Sequence, residues 1–311
     1  MNLSTLLLFL PLALSLPTGS GSETVAPGSG SETFAPASQE EAAGELVTFY
    51  HPNGKKAREG RLVDGRRAGP WKSWRRNGSL EYEGSYENYK QVGRWTLYDR
   101  SGAKRREGVY KDGVRFGEWS FYHGNGMREA RGEFLGDERH KEWRFWHPNG
   151  KPSRTMNFIA GAREGLFQEY DGEGKKVAEG NYRLDERDGD WVFWFSNGRE
   201  ETKGAYELGK RVGAWKTWFE NGRLESEGGY VNDAKSGAWT AYYDNGGVKF
   251  KCTFVGEVEE GDFEEFWPNG QLKSRGSFKV GKWDGRWECF KRDGTMDSTK
   301  TGLYAMGQKI G

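Results

Sequence analysis

The sequence has little of what enzymes and disulfide-rich secreted domains depend on. Only two cysteines, Cys252 and Cys289, occur in 311 residues, which excludes a disulfide framework. Charge of one sign is not in excess, because 47 Lys and Arg face 46 Asp and Glu, and we expect no nucleic-acid partner. The chain also lacks phosphate-loop, dinucleotide-binding, serine-hydrolase and zinc-protease motifs. We therefore expect neither an enzyme nor a bound cofactor or metal.

Aliphatic residues are scarce as well, but aromatic residues are not. Hydrophobic residues make up 34% of the chain, yet it contains 14 Trp, 14 Tyr and 18 Phe beside 47 Gly. A disordered chain would be poor in aromatic side chains. We therefore expect a folded protein whose core is built from rings.

The N-terminal 44 residues differ from the rest in composition. The apolar run at residues 6–16 is too short to cross a bilayer and predicts a secretory signal at residues 1–16. No Lys or Arg precedes it, so a misplaced start or an uncleaved tail is the alternative. Residues 17–44 contain a Gly-, Ser- and Pro-rich unit written twice, which predicts a flexible linker. The remaining domain is residues 45–311, and the predicted signal leads us to expect a secreted or periplasmic protein.

A 24-residue period governs residues 45–311. Glycine recurs every 24 residues from Gly54 to Gly294, and Asn precedes it in eight of eleven cases. An aromatic residue lies six positions before the Asn, and a second one follows three residues later. The unit is W-x-x-Y-x-x-N-G-x5-G-x-Y-x2-G-x3-G, and such a period is typical of repeat architectures.

The Asn-Gly pair predicts one β-hairpin for each unit. Asn-Gly suits a two-residue type I′ turn, in which both residues need positive φ. The second linker, such as residues 207–213, would use its two glycines to lead into the next hairpin. The predicted turn residues are Asn53, Gly54, Asn77, Gly78, Asn149, Gly150, Asn197, Gly198, Asn221 and Gly222.

Counting outward from this turn gives the register. In the hairpin around Asn221, Trp218 would face Glu225 and Trp215 would face Gly228, and a ring lying over a cross-strand glycine covers bare backbone. We therefore assign the first aromatic of each unit to the structural core. These residues are Trp71, Trp95, Trp119, Trp143, Trp191, Trp215, Trp239 and Trp287.

The second aromatic of each unit has the opposite parity and should point to the other face of the sheet. A stripe of exposed rings there could bind a partner, or it could pack against Lys and Arg side chains of its own face. We define the second aromatic row, our candidate partner-binding site, as Trp74, Tyr98, Tyr122, Trp146, Tyr170, Trp194, Trp218 and Tyr242.

Other groups that could carry chemistry are isolated. His51, His123 and His147 share one repeat position, which indicates solvated residues beside the turn rather than metal ligands. Cys252 and Cys289 would lie three strands apart, too far for a disulfide. The acidic run at residues 257–265 indicates a solvated linker or, alternatively, a patch for a cation or a basic partner.

The repeat unit resembles the MORN repeat, and it is most similar to the variant found in bacterial YwqK-type antitoxin-like proteins. The resemblance covers residues 45–311. It implies an all-β fold, an elongated single-layer antiparallel β-meander of about eleven 24-residue hairpins. It also implies a role in binding or scaffolding.

Three functional hypotheses remain. The first is an extracytoplasmic scaffold that binds a protein partner. The second is an antitoxin-like inhibitor of a partner toxin, and the third is a protein that binds an envelope polysaccharide or lipid. Because the last unit ends without an obvious cap, end-to-end self-association is a further expectation.

Overall fold

A computed structural model of the chain describes residues 44–311. These residues form one open antiparallel sheet of 23 strands, in which each strand pairs with the next one along the chain. None of the described residues forms a helix that could cross a membrane. The predicted signal at 1–16 and all but the last residue of the predicted linker at 17–44 lie outside the described residues. The predicted all-β hairpin meander is confirmed.

The strands are β1 (Glu45–Tyr50), β2 (Lys56–Val63), β3 (Arg66–Trp74), β4 (Leu80–Glu87), β5 (Lys90–Tyr98), β6 (Lys104–Lys111), β7 (Val114–Tyr122), β8 (Arg128–Leu135), β9 (Glu138–Trp146), β10 (Pro152–Ile159), β11 (Ala162–Tyr170), β12 (Lys176–Arg183), β13 (Glu186–Trp194), β14 (Glu200–Glu207), β15 (Lys210–Trp218), β16 (Leu224–Val231), β17 (Ala234–Tyr242), β18 (Val248–Val255), β19 (Val258–Phe266), β20 (Leu272–Lys279), β21 (Lys282–Cys289), β22 (Gly302–Ala305) and β23 (Gln308–Lys309).

The Asn-Gly loops are not the two-residue type I′ turns that we predicted. Between β15 and β16, the Phe219 amide donates to the Arg223 carbonyl, and the Gly222 amide donates to the Phe219 carbonyl. Gly222 has φ of 86°, whereas Asn221 is not among the residues with positive φ. The loop is therefore a three-residue type I turn closed by a left-handed glycine.

The longer loop changes the register next to it. Trp218 pairs with Leu224 rather than with the predicted Glu225. Glu225 is the extra residue of a bulge, and beyond it Trp215 pairs with Gly228, as we predicted.

Asparagine is preferred in these loops because it links neighbouring hairpins. Asn221 Oδ1 accepts a hydrogen bond from the Arg223 amide at 2.8 Å, while Nδ2 donates to the Asp244 carbonyl in the following loop at 3.1 Å. The second contact recurs at Asn53, Asn77, Asn125, Asn149, Asn197, Asn245 and Asn269. These bonds form an asparagine ladder along one end of the strands.

Type I′ turns occur at the opposite ends of the strands, in the linkers that we predicted to be longer. Glu207 pairs with Lys210, and Leu208 and Gly209 both have positive φ, 48° and 79°. The second glycine of this linker, Gly213, takes no part in the turn. It lies inside β15 with φ of 65°. A bulge there shifts the register of β15 against the preceding strand, next to Trp215.

Each core tryptophan lies across the junction between two hairpins. The Trp215 indole covers Gly204 of the preceding strand, where a Cβ atom would lie 2.2 Å from the ring. Its Nε1 donates to the Ala205 carbonyl at 3.2 Å. We expected the ring to cover Gly228, and this expectation is wrong because the side chain leans back over the bulge. The same arrangement holds at Trp71, Trp95, Trp119, Trp143, Trp191, Trp239 and Trp287, and all eight indoles are buried.

Two junctions lack both the glycine and the tryptophan. Met156 precedes Phe167, and Cys252 precedes Phe263, at the places where the other eight junctions have Gly and Trp. The larger residue on one strand is thus matched by a smaller ring on the next, as close packing requires. Upright rings separate the indoles, and Tyr206 makes edge contacts to Trp191 and Trp215 at 6.0 and 5.1 Å. We call this side of the sheet the ring-lined face.

Candidate binding surfaces

The second aromatic row lies on the face opposite the buried tryptophans, and all eight of its rings are half-buried. Its tyrosines bond to side chains within the sheet, as Tyr98 and Tyr242 do, donating to Glu83 at 2.6 Å and to Glu227 at 2.9 Å. Its tryptophans lie beside cations of the preceding hairpin. Lys203 Nζ, for example, is 5.1 Å from the Trp218 ring centroid. Tyrosine hydroxyls and tryptophan rings of this row therefore already make contacts with side chains of the sheet itself.

Glu107 is the most strongly coupled carboxylate of this face. Burial disfavours its charge, but hydrogen bonds from Arg94, Tyr122 and Lys104 outweigh that effect and lower its pKa to about 2. Burial, together with the hydrogen bond to Glu83, raises the pKa of Tyr98 to about 12. These groups stabilise the sheet while Glu107 is ionised and Tyr98 is neutral.

The ring-lined face carries a row of residues that the sequence did not single out. Across β1–β21, one residue of each strand pairs directly with one of the next, so the row runs perpendicular to the strands. In order, this central row is Phe49, Arg58, Ser73, Tyr82, Leu97, Arg106, Phe121, Ala130, Phe145, Arg154, Glu169, Ala178, Phe193, Thr202, Thr217, Ser226, Ala241, Phe250, Glu265, Ser274 and Cys289.

In its first half the central row has three arginines, and most of the residues between them are aromatic or aliphatic. Arg58, Arg106 and Arg154 occur on every fourth strand, about 19 Å apart at ordinary strand spacing. None of the three makes an ion pair with a carboxylate of residues 44–311. Arg154 instead lies over the Phe145 ring at 4.6 Å. Arginines that lie among aromatic rings and make no ion pair with a carboxylate are what a complementary acidic surface would contact.

The charge of the described chain is uneven along its length. Residues 44–163 contain 25 Lys and Arg against 15 Asp and Glu, whereas residues 164–311 contain 22 against 27. Arg139, also on the ring-lined face, has its pKa lowered by burial and by the charges of Arg154 and Arg115. The positive potential therefore concentrates on the first half of this face.

The isolated groups occupy structural positions. Nε2 of His51, His123 and His147 lies 2.8 to 3.0 Å from the carbonyl of the last residue of a strand in the next hairpin, which is Trp74, Trp146 or Tyr170. Because a carbonyl only accepts, Nε2 must carry a hydrogen, and these residues are not simply solvated as we expected. His140 lies in β9. Within residues 44–311, no group of three His, Cys, Asp or Glu side chains is arranged to hold a metal ion.

Both cysteines are buried free thiols. Burial raises the pKa of Cys252 to about 11 and raises that of Cys289 as well. A thiolate is therefore disfavoured at either position. In the acidic run, the Glu257 carboxylate accepts a hydrogen bond from the backbone amide of Lys235, and Glu264 forms an ion pair with Lys251, so part of the run is engaged within the sheet.

The two ends of the sheet differ. β1 pairs only with β2, and Leu46, Phe49 and Tyr50 on it are exposed. At the other end β22 has four residues and β23 has two, and a short last strand offers little edge for pairing. The first strand is therefore the more open of the two edges among the described residues.

Comparison with known proteins identifies the repeat. The sequence model of the MORN repeat variant matches five segments, each one hairpin around an Asn-Gly loop: 67–88, 139–160, 211–232, 235–255 and 259–279. No curated protein matches the sequence.

Solved structures that match include the crystal structure of TcdB2-TccC3-Cdc42 and a structure of the Photorhabdus luminescens Tc holotoxin pore. Each is 10% identical with a TM-score of 0.18, over 85% of this chain and 16% of the other. The chain thus spans a small part of those proteins, and so weak a likeness carries no functional argument.

Proposed function

We propose that this protein is a non-enzymatic scaffold, secreted or periplasmic, that binds a partner protein along the ring-lined face. Repeats of the MORN type generally serve protein or membrane interactions. The observation that carries the proposal is the first half of the central row, where Arg58, Arg106 and Arg154 lack carboxylate partners among residues 44–311. Tyr82, Leu97, Phe121 and Phe145 occupy positions between them.

The chemistry of this surface favours a protein over a polyanion. The arginines of the central row are four strands apart and separated mostly by apolar residues, whereas a polyanion is bound by a continuous basic track. Aromatic and arginine side chains are the residues that carry most binding energy in protein interfaces. The partner segment would therefore combine apolar side chains with Asp or Glu at intervals that match the arginines.

The second aromatic row is the competing surface, and a capture experiment separates the two. The full chain is used as bait against an envelope extract, next to two variants that circular dichroism shows to be folded. One variant carries Arg58→Glu, Arg106→Glu and Arg154→Glu. The other carries Trp74→Ala, Trp146→Ala, Trp194→Ala and Trp218→Ala.

Loss of the same captured protein in the arginine variant alone supports the proposal. Loss in the tryptophan variant alone assigns binding to the second aromatic row. Capture of a toxin encoded beside this gene would favour the antitoxin-like role. Binding to envelope polysaccharide or to lipid vesicles, with no protein captured, would replace the scaffold by a polymer- or lipid-binding protein.

A further inference from the structure

The period breaks in the last hairpin, and a cavity lies at the break. Two extra residues separate β21 from β22, and the segment at 295–301 has no counterpart in the other hairpins. A cavity of about 480 Å³ is lined there by Trp267, Trp283 and Phe290, together with basic side chains. Ligand pockets commonly occupy roughly 300–1,000 Å³. The irregular last hairpin and the hairpin before it thus build a site together.

Two tryptophans that line the cavity lie at repeat positions where the other hairpins have other residue types. Trp283 stacks on Trp287 with ring centroids 3.8 Å apart, where an earlier hairpin places Arg187 over Trp191 at 4.6 Å. Trp267 is held by its Nε1, which donates to the Phe290 carbonyl at 3.2 Å. Both indoles line the cavity with ring surface that a planar group could contact.

The cavity is also positively charged. Lys273, Lys291, Arg292 and Lys300 line it, against Glu265 and Asp297. Lys273 is paired with Glu265 at 2.7 Å, and the Asp297 carboxylate accepts a hydrogen bond from the Thr299 hydroxyl at 2.6 Å. The other three cations make no ion pair with a carboxylate anywhere in the described sheet. Four cations against two carboxylates leave the cavity lining with two excess positive charges, which attract a multiply charged anion.

The loop that closes the cavity is fixed by hydrogen bonds. The Asp297 amide donates to the Cys289 carbonyl at 2.8 Å, and the Cys289 amide donates to Thr301 Oγ1 at 2.9 Å. Tyr304 donates to the Lys300 carbonyl at 2.7 Å. A pre-formed loop lowers the entropy that binding would otherwise cost.

We propose that this cavity binds an anionic small molecule that carries a planar ring, of the size and charge of a nucleoside monophosphate. Lys291, Arg292 and Lys300 pair with the anionic group, and the ring packs against Trp267 or Trp283. The site lies at the last hairpin, where it shares Glu265, Ser274 and Cys289 with the central row, but it contains none of Arg58, Arg106 and Arg154, so either proposal can fail alone.

Isothermal titration of the full chain with AMP, adenosine and inorganic phosphate tests the proposal. Saturable AMP binding is expected, with adenosine and phosphate each at least about tenfold weaker, since each lacks half of the contacts. Lys300→Glu and Arg292→Gln should each weaken AMP by about tenfold, while Lys279→Glu, which does not line the cavity, should not. Absence of saturable AMP binding, equal binding of AMP by the folded cavity variants, or phosphate binding as tight as that of AMP would overturn it.

Discussion

The pairing of glycine with tryptophan across each junction predicts a compensating double substitution. Gly132 lies under Trp143, and a Cβ atom at residue 132 would be 2.3 Å from the indole. Trp143 has no exposed surface, and its Nε1 donates to the Glu133 carbonyl at 3.0 Å. The ring cannot move aside without losing that bond, which is worth about 1 kcal/mol. Gly132→Met should therefore cost about 3 kcal/mol, the upper end of overpacking costs.

Trp143→Phe alone should cost about 2 kcal/mol, because it loses the hydrogen bond and leaves space over Gly132. The double variant reproduces the natural pair Met156 and Phe167, both buried in the same sheet. Its cost should be no more than about 2 kcal/mol, which leaves a coupling of about 3 kcal/mol between the two sites.

Native-state hydrogen exchange of peptides from β8 and β9 measures these costs locally, which suits a repeat array that need not unfold in one step. Gly124→Met is the matched control, because a Cβ atom at Gly124 would meet nothing within 4 Å. Additive costs in the double variant would refute the inference that ring size and glycine are matched across the junction.

Four further predictions follow from single contacts. Because the pKa of Glu107 is lowered from 4.5 to about 2, its contribution is present above pH 4.5 and is lost as pH falls toward 2. Glu107→Gln should therefore flatten the acid side of the stability profile, by at most about 3 kcal/mol; an unchanged profile in thermal melts from pH 6 to 2.5 would contradict this. Asn221→Asp should keep the contact to the Arg223 amide but lose the bond to Asp244, costing about 1 kcal/mol in urea unfolding; equal stability would remove the ladder's role. Cys252 and Cys289 should react with a thiol reagent only after unfolding, since both are buried; rapid labelling of the native chain would show otherwise. Any self-association should proceed through β1, so that Leu46→Lys weakens it in sedimentation at high concentration; unchanged association would place the contact elsewhere.

The sequence predicts the period, the hairpins and the pairing of Trp215 with Gly228 because the 24-residue repeat and the parity of strands determine them. The prediction from sequence assigns the type I′ turn to the wrong loop. Both loops need a glycine with positive φ, Gly209 in one and Gly222 in the other. Only the hydrogen bonds show that Asn221 is favoured because its side chain bonds to the next loop, and not because its own backbone needs positive φ. The direction in which Trp215 leans depends on the bulge at Gly213, and no spacing in the sequence reveals that bulge.

The central row could not be recognised from the sequence because its residue types do not repeat with the 24-residue period. The position two residues after the core tryptophan is Ser73, Leu97, Phe121 and Phe145 in successive hairpins, so a search for conserved spacing passes over it. The second aromatic row repeats clearly, but its rings make their polar contacts within the sheet. In this array, regular positions build the scaffold, and the variable positions on the ring-lined face distinguish one part of the surface from another.

Photocrosslinking from two neighbouring positions tests most directly the claim that a partner binds the ring-lined face. Arg154 belongs to the central row, while Thr155 is on the opposite face, where it bonds to Gln168. A benzophenone side chain is introduced at one position or the other, and the chain is irradiated with the captured partner. Crosslinks from residue 154 and none from residue 155 are the predicted result. Crosslinks from residue 155 alone would contradict the account.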